Sequence, residues 1–238
     1  MTTKIIQILF LFLACSFTKT GCAQETMNIK WGHEKIKGTR QLPYAAYMGF
    51  PFLNNNWAPG KIEFADGEIA DSLYLRYSSF KDELIYYNKH IPAQIVIDKE
   101  SLKGFSFVDD AGKTRIFREQ YYDGYMKGER YFEVLSDGET DLLVYRKVSL
   151  GTTLPYKDAK GILTDLAYTN DYQFYFYAPA NGYTSVRPNW PSLIAKFEKT
   201  DQKPIKKLLR KNRIRVSDEE SFILAWKVIE KEGYKVAF

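Results

Sequence analysis

The run Ser72-Leu73-Tyr74-Leu75-Arg76-Tyr77-Ser78-Ser79 decides the fold class, because it alternates with a period of two. Leu73, Leu75 and Tyr77 fall on one face, and Tyr74, Arg76 and Ser78 on the other, as in a β-strand. Upstream, Lys61-Ile62-Glu63-Phe64 leads into the tight-turn pair Asp66-Gly67. Downstream, the pattern continues at 83–88, 93–97 and 104–108, and the last is joined across Asp109-Asp110-Ala111-Gly112 to 114–117. Runs 131–135 and 141–147 flank Ser136-Asp137-Gly138-Glu139, and 172–177 meets 183–187 near Asn181-Gly182. Short apolar runs separated by turn residues are the signature of antiparallel strands. Several carry large side chains on both faces, so the sheet must be covered or must curl. The expected class is α+β, a mostly antiparallel β sandwich, roll or partly closed barrel. The partial echo of Asp66-Gly67-Glu68 in Asp137-Gly138-Glu139 falls below the self-similarity that defines a repeat fold.

After Arg187 the period changes to 3.6. Asn189 with Pro191 marks a helix start, with Leu193, Ile194 and Phe197 as its apolar side. A second helix starts near Asp201 and packs through Ile205, Leu208 and Leu209, its bases outward. A third, over 218–232, follows a capping box read as Ser217 with Glu220, buries Phe222, Ile223, Trp226 and Ile229, and ends at Gly233. The expected organisation is a signal peptide over 1–23, a β-rich body over 24–188, and two to three C-terminal helices over 189–238 that cap the body.

The 238 residues are 45% hydrophobic, 26% charged and 16% aromatic, which excludes a disordered tail, a collagen and a multi-span membrane protein. Lys4, the apolar run Ile5 to Phe17, and the small residues Gly21 and Ala23 read as an export signal cut before Gln24. Lipid attachment at Cys15 or Cys22 is the competing reading. Cutting after Ala23 removes both cysteines, and with them any disulfide, thiol nucleophile or cysteine metal site.

The formal charge is +5, concentrated at 196–215, where nine bases against Glu198 and Asp201 give +7. Lys206, Lys207, Arg210 and Lys211 are the candidates for contact with an anionic surface: lipid headgroups or acidic polysaccharide, with nucleic acid disfavoured for an exported protein. The plain alternative is a solvated helix face.

The chain carries no motif for a cofactor, a phosphate loop or a serine nucleophile. Two histidines beyond the leader, His33 and His90, are too few for a three-histidine zinc site. Carboxylates remain as catalytic candidates: Glu63, Asp66, Glu68 and Asp71, or Glu133, Asp137, Glu139 and Asp141, with Glu133 best placed for hydrolysis of a glycan. The aromatic surplus points elsewhere. Tyr44, Tyr47, Phe50, Phe52 and Trp57 surround Asn54-Asn55-Asn56, a mixture suited to stacking on sugar rings and bonding their hydroxyls, so Tyr44, Tyr47 and Trp57 are the ligand-binding candidates. The alternative is an irregular segment packed over the sheet.

The runs Leu75-Arg76-Tyr77-Ser78-Ser79-Phe80-Lys81-Asp82-Glu83-Leu84, Phe132-Glu133-Val134-Leu135-Ser136-Asp137-Gly138 with Leu142-Leu143, and Ile205-Lys206-Lys207-Leu208-Leu209-Arg210-Lys211-Asn212 resemble a family of uncharacterised exported proteins from Bacteroidota. In that family a β-rich body precedes a lysine-rich helical tail. The resemblance implies a Gram-negative envelope setting and assigns no functional residue. The functional expectation is an exported envelope protein, periplasmic, outer-membrane-associated or secreted. It acts as a non-enzymatic binding or structural module for a protein partner or an envelope ligand. A carboxylate-based glycan hydrolase and a lipid or hydrophobe carrier are the alternatives.

Overall fold

A computed structural model describes residues 35–89, 92–157 and 160–238. The leader, both cysteines, His33 and His90 lie outside the described residues. The strands are β1 (Gly38–Arg40), β2 (Ala58–Phe64), β3 (Ile69–Ser78), β4 (Glu83–Asn88), β5 (Ala93–Ile97), β6 (Leu102–Val108), β7 (Thr114–Tyr122), β8 (Gly128–Ser136), β9 (Asp141–Lys157), β10 (Leu163–Ala178) and β11 (Gly182–Val186). Among the described residues they form one 11-stranded antiparallel sheet in the order β1-β5-β4-β3-β2-β6-β7-β8-β9-β10-β11, which is not closed into a barrel. Three helices follow: α1 (Trp190–Ile194), α2 (Lys199–Lys211) and α3 (Glu219–Lys231). The fold is α+β, as the periodicity implies.

The sheet curls because one face of its first half is packed with large apolar groups. The face predicted from the alternation at 72–79 is the inner one: Leu75 and Tyr77 are fully buried with Leu84, Ile95, Phe105, Phe107, Phe117 and Tyr131. Three strands lie between β3 and β8 in the sheet, yet the rings of Tyr77 and Tyr131 are 6.2 Å apart, so the sheet has rolled around this core. A buried carboxylate fastens the roll. Asp82, in the β3–β4 turn at φ 57°, accepts from the Tyr77 hydroxyl and from Lys99 Nζ, each at 2.6 Å, and lies 3.4 Å from the Tyr131 amide.

The same face of the second half is covered by helices instead. In the β9–β10 register Val144 opposes Phe174 and Leu142 opposes Phe176. These side chains form a second core with Leu193, Ile205, Leu209, Phe222, Trp226 and Ile229 of the helices. Each fully buried side chain of this kind contributes about 1.5–3 kcal/mol. The Phe176 and Trp226 rings sit 4.6 Å apart.

An ion network lies where the two cores meet. Glu133 opposes Val144 on this face and has both carboxylate oxygens engaged by guanidinium groups, Arg115 Nη1 at 3.1 and 3.2 Å and Arg146 Nε at 2.5 Å. Arg115 also donates to Asp109 at 2.7 Å.

Three local features differ from the sequence reading. The N-cap of α3 is Asp218, whose side chain accepts from the Ser221 amide at 2.8 Å, so the capping box lies one residue beyond Ser217 and Glu220. The strand read over 141–147 continues to Lys157, and the one read over 172–177 begins at Leu163; the intervening Gly151 and Pro155 conceal a long hairpin. A further short strand, β1, pairs with β5. Gly233, at φ 81°, follows α3 as expected.

Candidate ligand-binding cleft

The segment leading into β2 is irregular because Pro43, Pro51 and three successive asparagines interrupt any regular ladder. It is stitched at both ends of its course. The Leu53 amide donates to Tyr77 O and the Phe80 amide to Pro51 O, each at 3.0 Å, while the Tyr168 amide donates to Met48 O at 2.8 Å. Gly49 makes the second contact possible: its φ is 83°, and a Cβ there would lie 2.5 Å from Tyr168 O.

Arg76 organises the asparagine turn. Its guanidinium lies 3.9 Å from the centre of the Phe52 ring and 5.1 Å from that of Phe50. Its Nη2 donates to Asn55 O at 2.6 Å. Burial lowers the Arg76 pKa from its ordinary value. Across the turn, Asp110 of the β6–β7 loop accepts from the Asn55 amide and from Asn56 Nδ2, each at 3.0 Å.

Between this segment and β10 lies a cleft of about 340 Å³. Phe50, Phe52, Asn54 and Asn55 line one side, Tyr168, Asn170 and Tyr172 the other, with Asp110 at the rim. The β10 residues share a face through the two-residue period, and Arg146 sits 4.8 Å from the centre of the Tyr172 ring. Asn54 is 5% exposed, and its Oδ1 has no hydrogen-bond partner among the described residues. Its Nδ2 donates to Asn56 O. The cleft thus combines flat apolar rings with amide and carboxylate groups, the chemistry that stacks on a ring and bonds its hydroxyls.

None of the three aromatic candidates read from sequence lines this cleft. Tyr44 packs edge-on against Phe52 at 5.2 Å, and its hydroxyl lies 2.8 Å from Ser78 Oγ and 3.3 Å from Glu83 Oε2. Burial pushes its pKa up to about 12. Tyr47 packs edge-on against Tyr168 at 5.7 Å, and Trp57 lies 5.5 Å from Tyr87 and 5.8 Å from Arg76. Tyr44 and Tyr47 brace Phe52 and Tyr168, rings that line the cleft, while Trp57 packs on Tyr87 and the Arg76 guanidinium. The β10 wall is not reached by the strand read over 172–177; the alternation Tyr168, Asn170, Tyr172 is the sequence signal for it.

The acidic candidates are engaged elsewhere. Glu63 pairs with Lys103 and Asp66 with Lys35, each at 2.6 Å, and Glu68 also pairs with Lys35. Asp71 accepts from the Ser72 amide at 2.5 Å. Asp137 and Asp141 share Arg118 at 2.8 and 2.9 Å, and Glu139 meets Lys235 at 2.6 Å. Among the described residues no group of three or more His, Cys, Asp or Glu is arranged to hold a metal ion. Lys206, Lys207, Arg210 and Lys211 are brought together on α2, away from the cleft. No described helix is long and apolar enough to cross a membrane. Compared with known proteins, the chain matches no family model, no curated protein and no solved structure.

Proposed function

We propose that the protein is an exported envelope-binding module whose cleft takes a polyhydroxylated ring compound, an envelope glycan, without turning it over. The observation that carries the reading is a cleft walled by Phe50, Phe52, Tyr168 and Tyr172 with Asn54, Asn55, Asn170 and Asp110 set among them. The ring faces stack on a sugar ring, while the amide and carboxylate groups bond its hydroxyls. Binding without turnover is favoured over hydrolysis because Glu133 is clamped by Arg115 and Arg146. A glycosidase acid must instead be free to give up a proton. Binding in the cleft is favoured over a lipid carrier because the roll interior is filled by Tyr77, Phe105, Phe107, Phe117 and Tyr131. Export rests on the 1–23 pattern, and the likeness to exported Bacteroidota proteins supports an envelope setting.

Isothermal titration with soluble peptidoglycan fragments and envelope polysaccharide tests the reading. Saturable heat with one of them, abolished by Asn55→Ala with Asn170→Ala, is the expected result. Absence of heat with either ligand, or heat unchanged by the double substitution, overturns it.

A further inference from the structure

We propose that the outward face of α2, together with Trp190, docks the protein on an anionic bilayer surface. Helix α2 is strongly two-sided. Ile205 and Leu209 are fully buried in the helical core, while Lys199, Lys203, Lys206, Lys207 and Arg210 fall within an arc of about 100° on the other side. Lys211 at the end of α2, and Arg213 and Arg215 just beyond it, continue the positive surface.

Among the described residues, the ion-paired cations lie elsewhere in the molecule. Lys35, Lys99, Lys103, Arg115, Arg118, Arg146, Lys147 and Lys235 each lie within 4.0 Å of a carboxylate. Among the described residues, no base from Lys196 to Arg215 has such a partner. Nine like charges held together repel one another, and an external anionic surface relieves that repulsion.

The aromatic component selects the kind of surface. Trp190, at the start of α1, is half-buried and forms a wall common to two shallow hollows. One, of about 490 Å³, has Pro191, Ile214 and Val216 beside Arg210 and Arg215. The other, of about 410 Å³, has Ile194 and Ala195 beside Lys206. Each sets apolar side chains beside a base, which suits a phosphate headgroup above its glycerol and first methylenes. An indole with one dry side and one wet side is the usual interfacial anchor. A hydrophilic polyanion leaves those apolar side chains and Trp190 without a partner, so the bilayer is the partner the surface fits. With no described helix able to cross a membrane, this contact lies on the surface.

The test is co-sedimentation of the chain lacking residues 1–23 with vesicles of phosphatidylcholine, with and without about 30 mol % phosphatidylglycerol, at about 50 mM and about 500 mM salt. Binding is expected to the anionic vesicles at low salt, with a fall of at least about tenfold at high salt. The combined Lys206→Gln, Lys207→Gln and Arg210→Gln changes should lower it on the order of 100-fold. Their melting curve should match the wild type because the side chains project outward. Arg213→Gln with Arg215→Gln is a second, independent reduction with the same expected direction. No binding at low salt, equal binding to neutral vesicles, or wild-type binding by both variants overturns the proposal. Capture of dextran sulfate without vesicle binding also overturns it and assigns the face to a soluble polyanion.

Discussion

Arg146 reaches from β9 to helix α3 and holds Glu219 through two hydrogen bonds, Nη1 to Oε2 at 2.6 Å and Nη2 to Oε1 at 2.7 Å. With Nε on Glu133, one guanidinium fastens the helical cover to the sheet. Replacing Arg146 with Ala leaves Glu133 buried beside a vacated position and should cost about 3–5 kcal/mol, read as a lower urea midpoint. Glu219→Gln keeps the shape and one hydrogen bond, and should cost about 1–2 kcal/mol.

The same pair sets a pH dependence. Burial alone raises the Glu219 carboxyl, but the hydrogen bonds and charge of Arg146 more than offset it and hold it below the ordinary glutamate value. A depressed folded value means stability that is present above about pH 4.3 and lost as pH falls through the folded value. Wild type and Glu219→Gln should therefore differ at neutral pH and converge in urea titrations as acid is added.

Asp82 should behave in the opposite sense. Burial raises its carboxyl, with Lys99 and Tyr77 acting against the rise. A raised folded value favours the native state below about pH 3.9, and that contribution is lost as pH rises through the folded value. Relative to Asp82→Asn, wild type should lose stability as pH rises above the ordinary aspartate value of about 3.9 and through the raised folded value; a difference that stays constant as pH rises from there would exclude the assignment.

The cap of α3 can be located by substitution. Asp218→Ala should lower the melting temperature by about 2–4 °C, while Ser217→Ala should leave it nearly unchanged. The reverse ranking would restore the cap to the position that the Ser217–Glu220 pattern suggests.

Gly104 lies at the β6–β7 crossing, where a Cβ would stand 2.4 Å from Phe117 O. Backbone cannot yield as a side chain does, so Gly104→Ala should cost about 1–3 kcal/mol in thermal unfolding.

How far the chain could be read without its structure depended on the range of the interaction involved. The β3 alternation and the α3 core pattern are local, and both appear where Leu75, Tyr77, Phe222 and Trp226 place them. The roll was legible as a need, since two apolar faces must be covered, but its closure through Asp82 and Tyr131 joins residues 49 apart in sequence. The cleft was half legible. Phe50, Phe52 and the asparagines are visible as a cluster, whereas Tyr168 and Asn170 lie outside the strands read at 141–147 and 172–177. Tyr44, Tyr47 and Trp57 were chosen for ring chemistry alone, and nothing in a linear reading separates a ring that lines a cleft from one that braces it.

The lacing of the lead-in segment to β10 also bears on how the molecule forms. The Tyr168 hydroxyl donates to Ala45 O at 3.0 Å across 123 residues of chain. Contacts of such separation pay loop-closure entropy before they return any energy, which slows folding. The first-made part of the body can thus collapse around Tyr77 and Phe105 but cannot secure its own margin until the β9–β10 hairpin has been synthesised. The walls of the cleft meet late in folding, and a chain truncated before Tyr168 would retain one wall of it and lack the other.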